Sequence, residues 1–161
     1  MIKVLGIDPG LANTGVGLVQ GAKTEIYHYS FGTIQTVPEQ SLPCRLNHIF
    51  SSIASLLASE KPDLMVVEEA FSLKVYPKSG IALGQVIGAI LVAGYRADVV
   101  VASVSVREAK QVMTGSGRAG KQQMAEAVRR LLNHAEPIRP DHASDALALA
   151  IMGLLRYDRL S

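Results

Sequence analysis

The chain has 161 residues, of which 48% are hydrophobic and 19% are charged, and its formal net charge is +2 at neutral pH. This composition excludes a disordered chain, which would carry fewer apolar residues and more net charge, and it suits one domain over residues 1–161 with a single core. Because Cys44 is the sole cysteine, an intramolecular disulfide and a cysteine-based metal cluster are also excluded.

The N-terminal half predicts three strands followed by a helix. Ile2–Asp8 alternates β-branched and apolar residues, which indicates a strand that Pro9-Gly10 ends, and it turns polar too soon for a signal peptide. Val16–Gln20 and Thr24–Thr36 predict the second and third strands, and the short turns between them favour an antiparallel meander. Apolar residues at helical spacing indicate a helix over Ser41–Ser59.

The C-terminal half predicts alternating strands and helices. Apolar runs indicate buried strands at Asp63–Glu69 and Asp98–Val104, separated by an apolar helix over Ser79–Tyr95. The longest apolar stretch of that helix is interrupted by Gly84 and Gln85 and is too short to span a bilayer, so we expect a cytoplasmic protein. The element order predicts an α/β domain with a mixed five-stranded sheet. The remaining predicted helices are Val106–Gly115, Lys121–Leu132 and Asp141–Tyr157.

Two acidic residues close strands of the predicted sheet. Asp8 ends the first strand before a turn, and Glu68 ends the strand at Asp63–Glu69. If these strands are neighbours, the carboxylates converge, because sites in open α/β sheets form outside the carboxyl ends of the strands. The alternative is a turn or cap role. Asp before Pro-Gly is common in turns, whereas Glu is rare at the end of a buried strand without a partner.

The start of the last predicted helix adds a third group of polar residues. His142 and Asp145 are three residues apart and share a helix face, and Asp141 and Asp145, four apart, could share one too. Asp141, which follows Pro140, is expected to be the helix N-cap. In the alternative interpretation the other polar residues of this turn are simply solvated. Either His142 or Asp141 could therefore complete a site with the carboxylates.

These candidate ligands favour hard divalent cations. Carboxylates and an imidazole suit Mg²⁺ or Mn²⁺ rather than a metal that prefers thiolates. Two such ions, roughly 3.5–4 Å apart, can activate a water molecule and stabilise the leaving oxygen of a phosphodiester. Carboxylates grouped without cations would raise one another's pKa. We therefore expect bound Mg²⁺, two ions per subunit, with Mn²⁺ as a possible substitute.

Several short motifs, in order along nearly the whole chain, carry a family resemblance. They are GIDPG ending the first strand with Thr14-Gly15 following, VVEEAF at Val66–Phe71, Leu83-Gly84-Gln85, Ala109-Lys110-Gln111 leading to Gly115, Gly117 and Lys121, and DALALAI at Asp145–Ile151. The ordered set resembles the RuvC family of Holliday-junction resolvases. The resemblance implies an RNase H-like fold and a homodimer that nicks two strands of a four-way DNA junction with Mg²⁺. It also implies the RuvA–RuvB branch-migration complex as a partner.

The resemblance also implies roles for individual residues. By position, Asp8, Glu68 and Asp145 match the family's catalytic, metal-binding carboxylates. His142 stands where many members carry Asp and some carry His, so it is the expected fourth ligand and leaves the metal preference open. Asp141 does not fall on the catalytic position, and no role is assigned to Glu69.

Basic and aromatic residues are the expected DNA contacts. Lys110 and Lys121 match family lysines near the scissile phosphate or the DNA backbone, where ammonium groups offset phosphate charge. Phe71 matches an aromatic residue that meets an unstacked base at the junction centre. Without the resemblance, the lysines would be interpreted as solvated helix residues, and on sequence alone Phe71 is equally compatible with the core. Further phosphate-contact candidates are Lys74, Lys78, Arg107 and Arg118.

The apolar helix over Ser79–Tyr95 has two interpretations. The family uses the corresponding helix for dimer contact, whereas the alternative is an ordinary core helix.

Two other function classes also compete with a nuclease. The Asp-Pro-Gly turn suits a phosphotransferase of the sugar kinase and actin-like class, but the chain has no room for a second nucleotide-binding half and no Walker-type phosphate loop. A catalytically inactive junction-binding protein would not need the complete set of Asp8, Glu68 and Asp145.

Overall fold

A computed structural model describes residues 1–22, 24–69 and 77–161. Its strands are β1 (Ile2–Asp8), β2 (Asn13–Ala22), β3 (Glu25–Gln35), β4 (Leu64–Glu68) and β5 (Val100–Val104). Its helices are α1 (Leu42–Glu60), α2 (Pro77–Arg96), α3 (Val106–Thr114), α4 (Lys121–Leu132), α5 (Asp141–Leu155) and α6 (Tyr157–Leu160). The predicted element order is confirmed, with the short α6 as an addition.

The five strands form one mixed sheet in the order β3-β2-β1-β4-β5. The predicted meander is confirmed, because β2 pairs antiparallel with both β1 and β3. β4 pairs parallel with β1, with Ile7 opposite Val67, and β5 pairs parallel with β4. This register brings the ends of β1 and β4, and therefore Asp8 and Glu68, to the same edge of the sheet.

Side chains alternate between two apolar clusters, one on each face of the sheet. Val4 and Val66 belong to the cluster that contains α5 with parts of α3 and α4, whereas Leu5 and Val67 belong to the cluster with α1 and α2. Because strand side chains alternate with a period of two, Asp8 and Glu68 fall on the α5 face, two and four residues along from Gly6 and Leu64. The sheet thus directs both carboxylates toward α5.

The prediction that Asp98–Val104 is a buried strand was wrong. A strand is present but begins at Val100, and that residue is 47% exposed, because β5 ends the order of the described strands and pairs with β4 on one side. The preceding Asp98 has a left-handed backbone with φ of 55° and belongs to the turn after α2. An apolar run does not by itself distinguish an edge strand from a central one.

Two helix boundaries also differ from the predictions. Pro140, with an extended backbone, is the N-cap of α5, so Asp141 lies in the first turn and makes no capping hydrogen bond. Asp141 is ion-paired with Arg139 instead. The predicted helix Asp141–Tyr157 is interrupted at Arg156, whose backbone leaves the helical region before α6 begins.

Helix α2 is longer than its apolar centre indicated. Within the described residues it is the one helix whose length and composition would allow it to cross a membrane, so the prediction that this segment is too short was wrong. Core helices of soluble proteins can have the same length and apolar composition. Here Val86, Ile90 and Ala93 are buried in the apolar cluster that also contains residues of α1, while other residues of the helix remain uncovered.

Candidate active site

Glycines in the sheet allow the start of α5 to lie directly on the strands. A Cβ added at Gly15 of β2 would lie 2.0 Å from the carbonyl oxygen of His142, and one at Gly6 of β1 would lie 2.1 Å from the carbonyl oxygen of Ala146. No side chain fits in either space, so glycine is required for this approach. The packing holds His142 and the adjoining turn with Asp145 at the sheet edge where β1 ends.

A hydrogen bond joins β1 to α5 at this edge. Nδ1 of His142 lies 2.7 Å from Oδ2 of Asp8. Because an ionised carboxylate can only accept, we assign the proton of this hydrogen bond to Nδ1, and Nε2 is the ring nitrogen that Asp8 does not engage. Asp8 is 8% exposed, whereas the His142 side chain is 47% exposed. The pair therefore has a buried carboxylate and an imidazole that reaches solvent.

The three predicted carboxylates interact electrostatically. Burial is the main cause of a raised pKa in each, and it brings the pKa of Glu68 to about 7 with added repulsion from Asp8 and Asp145. Burial and then the charge of Asp8 raise the pKa of Asp145. Burial raises the pKa of Asp8, and the hydrogen bond to His142 opposes that rise. The positive charge of Lys121 lowers all three pKa values, so it belongs to the same cluster.

The chemistry of this donor set fits a divalent cation. Three partly or largely buried carboxylates repel one another, and Lys121 and His142 are the cationic or potentially cationic groups that offset this repulsion. Hard oxygen ligands with one imidazole match Mg²⁺ or Mn²⁺. Among the described residues, however, no three such groups converge on one point as they do around a bound metal. The cluster therefore supplies the right ligands without a preformed coordination geometry.

The raised pKa of Glu68 predicts a pH-dependent cost to stability in the metal-free protein. The folded state holds an extra proton between the ordinary value of 4.5 and about 7. The free energy of unfolding therefore falls as pH rises through this window, and the penalty is complete above it. In chelator at pH 8, Glu68→Gln should be more stable than the wild type by about 1–2 kcal/mol, less than the full shift implies because solvent screens the carboxylate.

Urea unfolding of both proteins at pH 4.5, 6 and 8 measures this effect. The difference should be smallest at pH 4.5, where Glu68 is protonated in the folded state and about half protonated in the unfolded state. Glu69→Gln is the matched control, because Glu69 is an exposed neighbour on the same strand end. A difference that is constant across the pH range would show that the amide acts through packing and not through charge.

Asp141 and Ser144 differ from their sequence-based interpretations. Asp141 is paired with Arg139 at the exposed surface, and its charge is the smallest contribution to the pKa of Asp145. The structure therefore places His142, and not Asp141, against Asp8. Ser144 is buried rather than solvated. Both Arg139 and Ser144 line a cavity beside Asp145, which the sequence did not indicate because no motif includes Arg139.

The predicted DNA contacts fall in three places within the described residues. Lys121 joins the carboxylate cluster, as its effect on the three pKa values shows. Lys110, Arg107 and Arg118 line a second cavity of about 370 Å³ between α3 and the loop before α4. Lys78 is exposed at the start of α2. Two further predicted contacts, Phe71 and Lys74, lie outside the described residues.

Comparison with known proteins connects this arrangement to one family. The family model described as crossover junction endodeoxyribonuclease RuvC matches residues 4–153. Relatives of that name from Salinispora arenicola (strain CNS-205) and Syntrophomonas wolfei subsp. wolfei (strain DSM 2245B / Goettingen) are 41% and 39% identical, over 96% and 99% of this chain and 89% and 92% of theirs.

Solved structures give the same result. Thermus thermophilus RuvC in complex with a Holliday junction substrate superposes with a TM-score of 0.88 at 31% identity, over 99% of this chain and 96% of that chain. The yeast mitochondrial resolvase Ydc2, at 14% identity and a TM-score of 0.65 over 96% of this chain and 79% of its own, shares the fold alone. The chain has the RNase H-like fold of these resolvases and belongs to the RuvC crossover junction endodeoxyribonuclease family.

Proposed function

We propose that this protein is a nuclease that resolves four-way DNA junctions in recombination and repair by hydrolysing phosphodiester bonds. The observation that carries the proposal is the grouping of Asp8, Glu68 and Asp145 at one edge of the sheet, where Lys121 influences all three. The end-to-end match with a RuvC bound to a Holliday junction supports the choice of substrate.

In the proposed mechanism, Asp8, Glu68, His142 and Asp145 would hold Mg²⁺, with two ions in each subunit. When bound, such ions activate a water molecule and stabilise the leaving oxygen of the phosphodiester. The chain's own residues prepare the site. Asp8 fixes the imidazole of His142 through their hydrogen bond, and Lys121 supplies positive charge beside the carboxylates, which attracts a backbone phosphate.

Cleavage of a labelled four-way junction tests this proposal. The protein should cut the junction in the presence of Mg²⁺ and not in chelator, and it should leave a linear duplex of the same sequence intact. Binding of the junction without cleavage at any Mg²⁺ or Mn²⁺ concentration would identify a binding protein instead. Cleavage of the linear duplex at the same rate would contradict selectivity for junctions.

Lys121 and Lys110 should have different effects, because they lie in different places. Lys121→Ala should slow single-turnover cleavage by about 10–100-fold with little change in affinity, since its charge acts at the carboxylate cluster. Lys110→Ala should weaken junction binding and reduce the salt dependence by about one unit, as for the loss of one phosphate contact. Arg130→Ala on the exposed surface of α4 is the control. Equal effects of both lysines on the rate would contradict this division.

A homodimer is part of the proposal, because two symmetric nicks need two sites related by a two-fold axis. Ile81, Gly88, Val92 and Tyr95 of α2 recur at helical spacing, and the three large residues among them are exposed. A Cβ at Gly88 would meet nothing within 4 Å, so the monomer has room for a side chain there. This face of α2 is the proposed interface, and docking to a RuvA–RuvB complex is proposed with it.

Gly88→Glu should therefore weaken the dimer by about 100-fold or more without unfolding the chain, because a charge would be buried in the proposed interface. Sedimentation equilibrium at micromolar concentration measures the change, and Gln40→Glu in an exposed loop is the control. The variant should also give single nicks in place of paired ones. A wild-type protein that sediments only as a monomer while cutting in pairs would contradict the dimer.

A further inference from the structure

A cavity of about 360 Å³ lies between α4 and the start of α5, next to the candidate active site. Lys121 and Asp145 belong to both, so the cavity opens onto the carboxylate cluster. Its volume is at the small end of the range for ligand sites, roughly 300–1,000 Å³. It can hold about one nucleotide and is far too narrow for a duplex. A DNA strand that crosses the carboxylate cluster would thus meet a pocket that accommodates a single nucleotide.

The cavity contains a buried hydroxyl with no partner in the described part of the chain. Ser144 is 6% exposed and lines the cavity. Its Oγ makes no hydrogen bond to any described residue. Among the described side chains, every oxygen or nitrogen atom that is sealed from solvent has a hydrogen-bond partner, so the unpaired Oγ of Ser144 is not sealed. The hydroxyl therefore has access to the cavity, where it can donate to an oxygen atom of a ligand.

The cationic groups of the cavity have charge available for an anion. Arg129 donates to the main-chain carbonyl oxygens of His134 and Ala135 and therefore keeps its full charge. Lys121 has no ion pair among the described residues. Arg139 is exposed, and its one ion pair among the described residues is with Asp141, a pairing that solvent weakens. Two lining acids lie outside the catalytic cluster: Asp141, which pairs with Arg139, and Glu126, which accepts from the amide of Gln122.

The rest of the lining is apolar. Ala125 of α4 and the adjoining Pro137 and Ile138 contribute this surface, and Ile138 is buried. A lining that combines an apolar surface with a hydroxyl and a guanidinium suits a ligand that has both a phosphate and a sugar with a flat base. A nucleotide has this chemistry, whereas a simple inorganic anion would leave the apolar wall unused.

We propose that this cavity binds the nucleotide adjoining the scissile phosphate of the cleaved strand, with Arg139 and Ser144 contacting its phosphate. The inference rests on the proposed nuclease function and adds two residues to it. Arg139 and Ser144 are positioning residues here, because they hold the strand beside the carboxylates and take no part in bond cleavage. Loss of either contact should lower strand affinity and the rate at subsaturating substrate by about 10-fold.

Binding of a mononucleotide tests the pocket without requiring cleavage. The isotope-labelled full chain, free of divalent metal, is titrated with thymidine 5′-monophosphate, thymidine or inorganic phosphate while amide shifts are recorded. The monophosphate should shift the amides of Ala125, Arg139 and Ser144 and bind about 10-fold more tightly than either fragment. Phosphate binding as tightly as the monophosphate would reveal a bare anion site and overturn the proposal, as would the absence of shifts at millimolar concentration.

A modified junction tests whether the ligand is the cleaved strand. A neutral methylphosphonate replaces the phosphate next to the scissile one, and wild type, Arg139→Ala and Ser144→Ala are compared, with Arg130→Ala as the control outside this cavity. The modified phosphate and each variant should singly lower the cleavage rate at subsaturating substrate by about 10-fold. A variant acting on the modified junction should be little slower than either change alone. Additive losses would show that the pocket takes a free nucleotide only. If the wild type cuts no junction, the nuclease proposal fails, while the mononucleotide titration still decides the pocket.

Discussion

We expect Asp8→Asn, Glu68→Gln and Asp145→Asn each to slow junction cleavage by about 1,000-fold or more while junction affinity stays within about threefold. Each amide is nearly isosteric with the acid but carries no charge, so it cannot neutralise a bound cation. The three carboxylates influence one another's pKa and therefore act as one group. Removal of a single member should be nearly as damaging as the removal of two.

Binding should survive these changes because it depends on basic residues elsewhere. Lys110, Arg107 and Arg118 surround a separate cavity, and fewer carboxylates at the sheet edge reduce the repulsion of phosphate. Single-turnover cleavage and equilibrium binding of the same labelled junction measure the two effects. Glu69→Gln changes the same chemistry at an exposed neighbour and should cut normally. Cleavage close to the wild-type rate by any one of the three variants would remove that residue from the proposed catalytic group.

The sequence predicted the positions of these carboxylates because strand ends follow from local pattern. An alternating pattern located β1 and a continuous apolar run located β4, and a polar residue at the end of each run was visible without a structure. The parallel pairing of β1 with β4 then brings Asp8 and Glu68 to one edge. Local pattern does not connect Asp145, at the start of α5, with these strand ends. The order of the motifs along the chain predicted that connection.

Features that depend on long-range packing were not predicted. The exposure of β5 follows from its edge position, which an apolar run does not encode. The cavity arises where α4 and α5 meet. Its lining residues Arg139 and Ser144 lie far from Lys121 in the sequence, so no local pattern connects them. The glycines at 6 and 15 were a visible signal, since glycine inside a strand often marks the close approach of another backbone. The sequence did not indicate that the first turns of α5 are the backbone that packs against these glycines.

The cluster also shows a conflict between stability and function. Burial and mutual repulsion raise the pKa values of Asp8, Glu68 and Asp145, so the folded metal-free chain bears a cost that a neutral set of side chains would not. A divalent cation would remove this cost by neutralising the carboxylates. On the proposed function, metal affinity and folding stability would therefore be coupled, and Mg²⁺ should raise the unfolding midpoint.

His142 should determine which metal the site prefers. Its Nδ1 is held by Asp8, which leaves Nε2 as the available ligand atom and fixes the ring orientation, as carboxylates commonly do for metal-binding histidines. Imidazole binds Mn²⁺ more readily than Mg²⁺, because Mg²⁺ is harder and prefers oxygen. A neutral ligand where a carboxylate could stand also leaves the site with one negative charge fewer, which weakens the binding of Mg²⁺.

The wild type should therefore reach half-maximal cleavage at a lower concentration of Mn²⁺ than of Mg²⁺, and His142→Asp should move the ratio of the two concentrations about 10-fold toward Mg²⁺. Calorimetric titration of each metal without DNA gives an independent measure of affinity. Asp141→Ala is the matched control one residue away, since Asp141 is paired with Arg139 and not with the cluster. If Asp141→Ala is inactive while His142→Ala cuts normally with an unchanged metal ratio, Asp141 is the fourth ligand. In that case the hydrogen bond between His142 and Asp8 only fixes the position of α5 on the sheet.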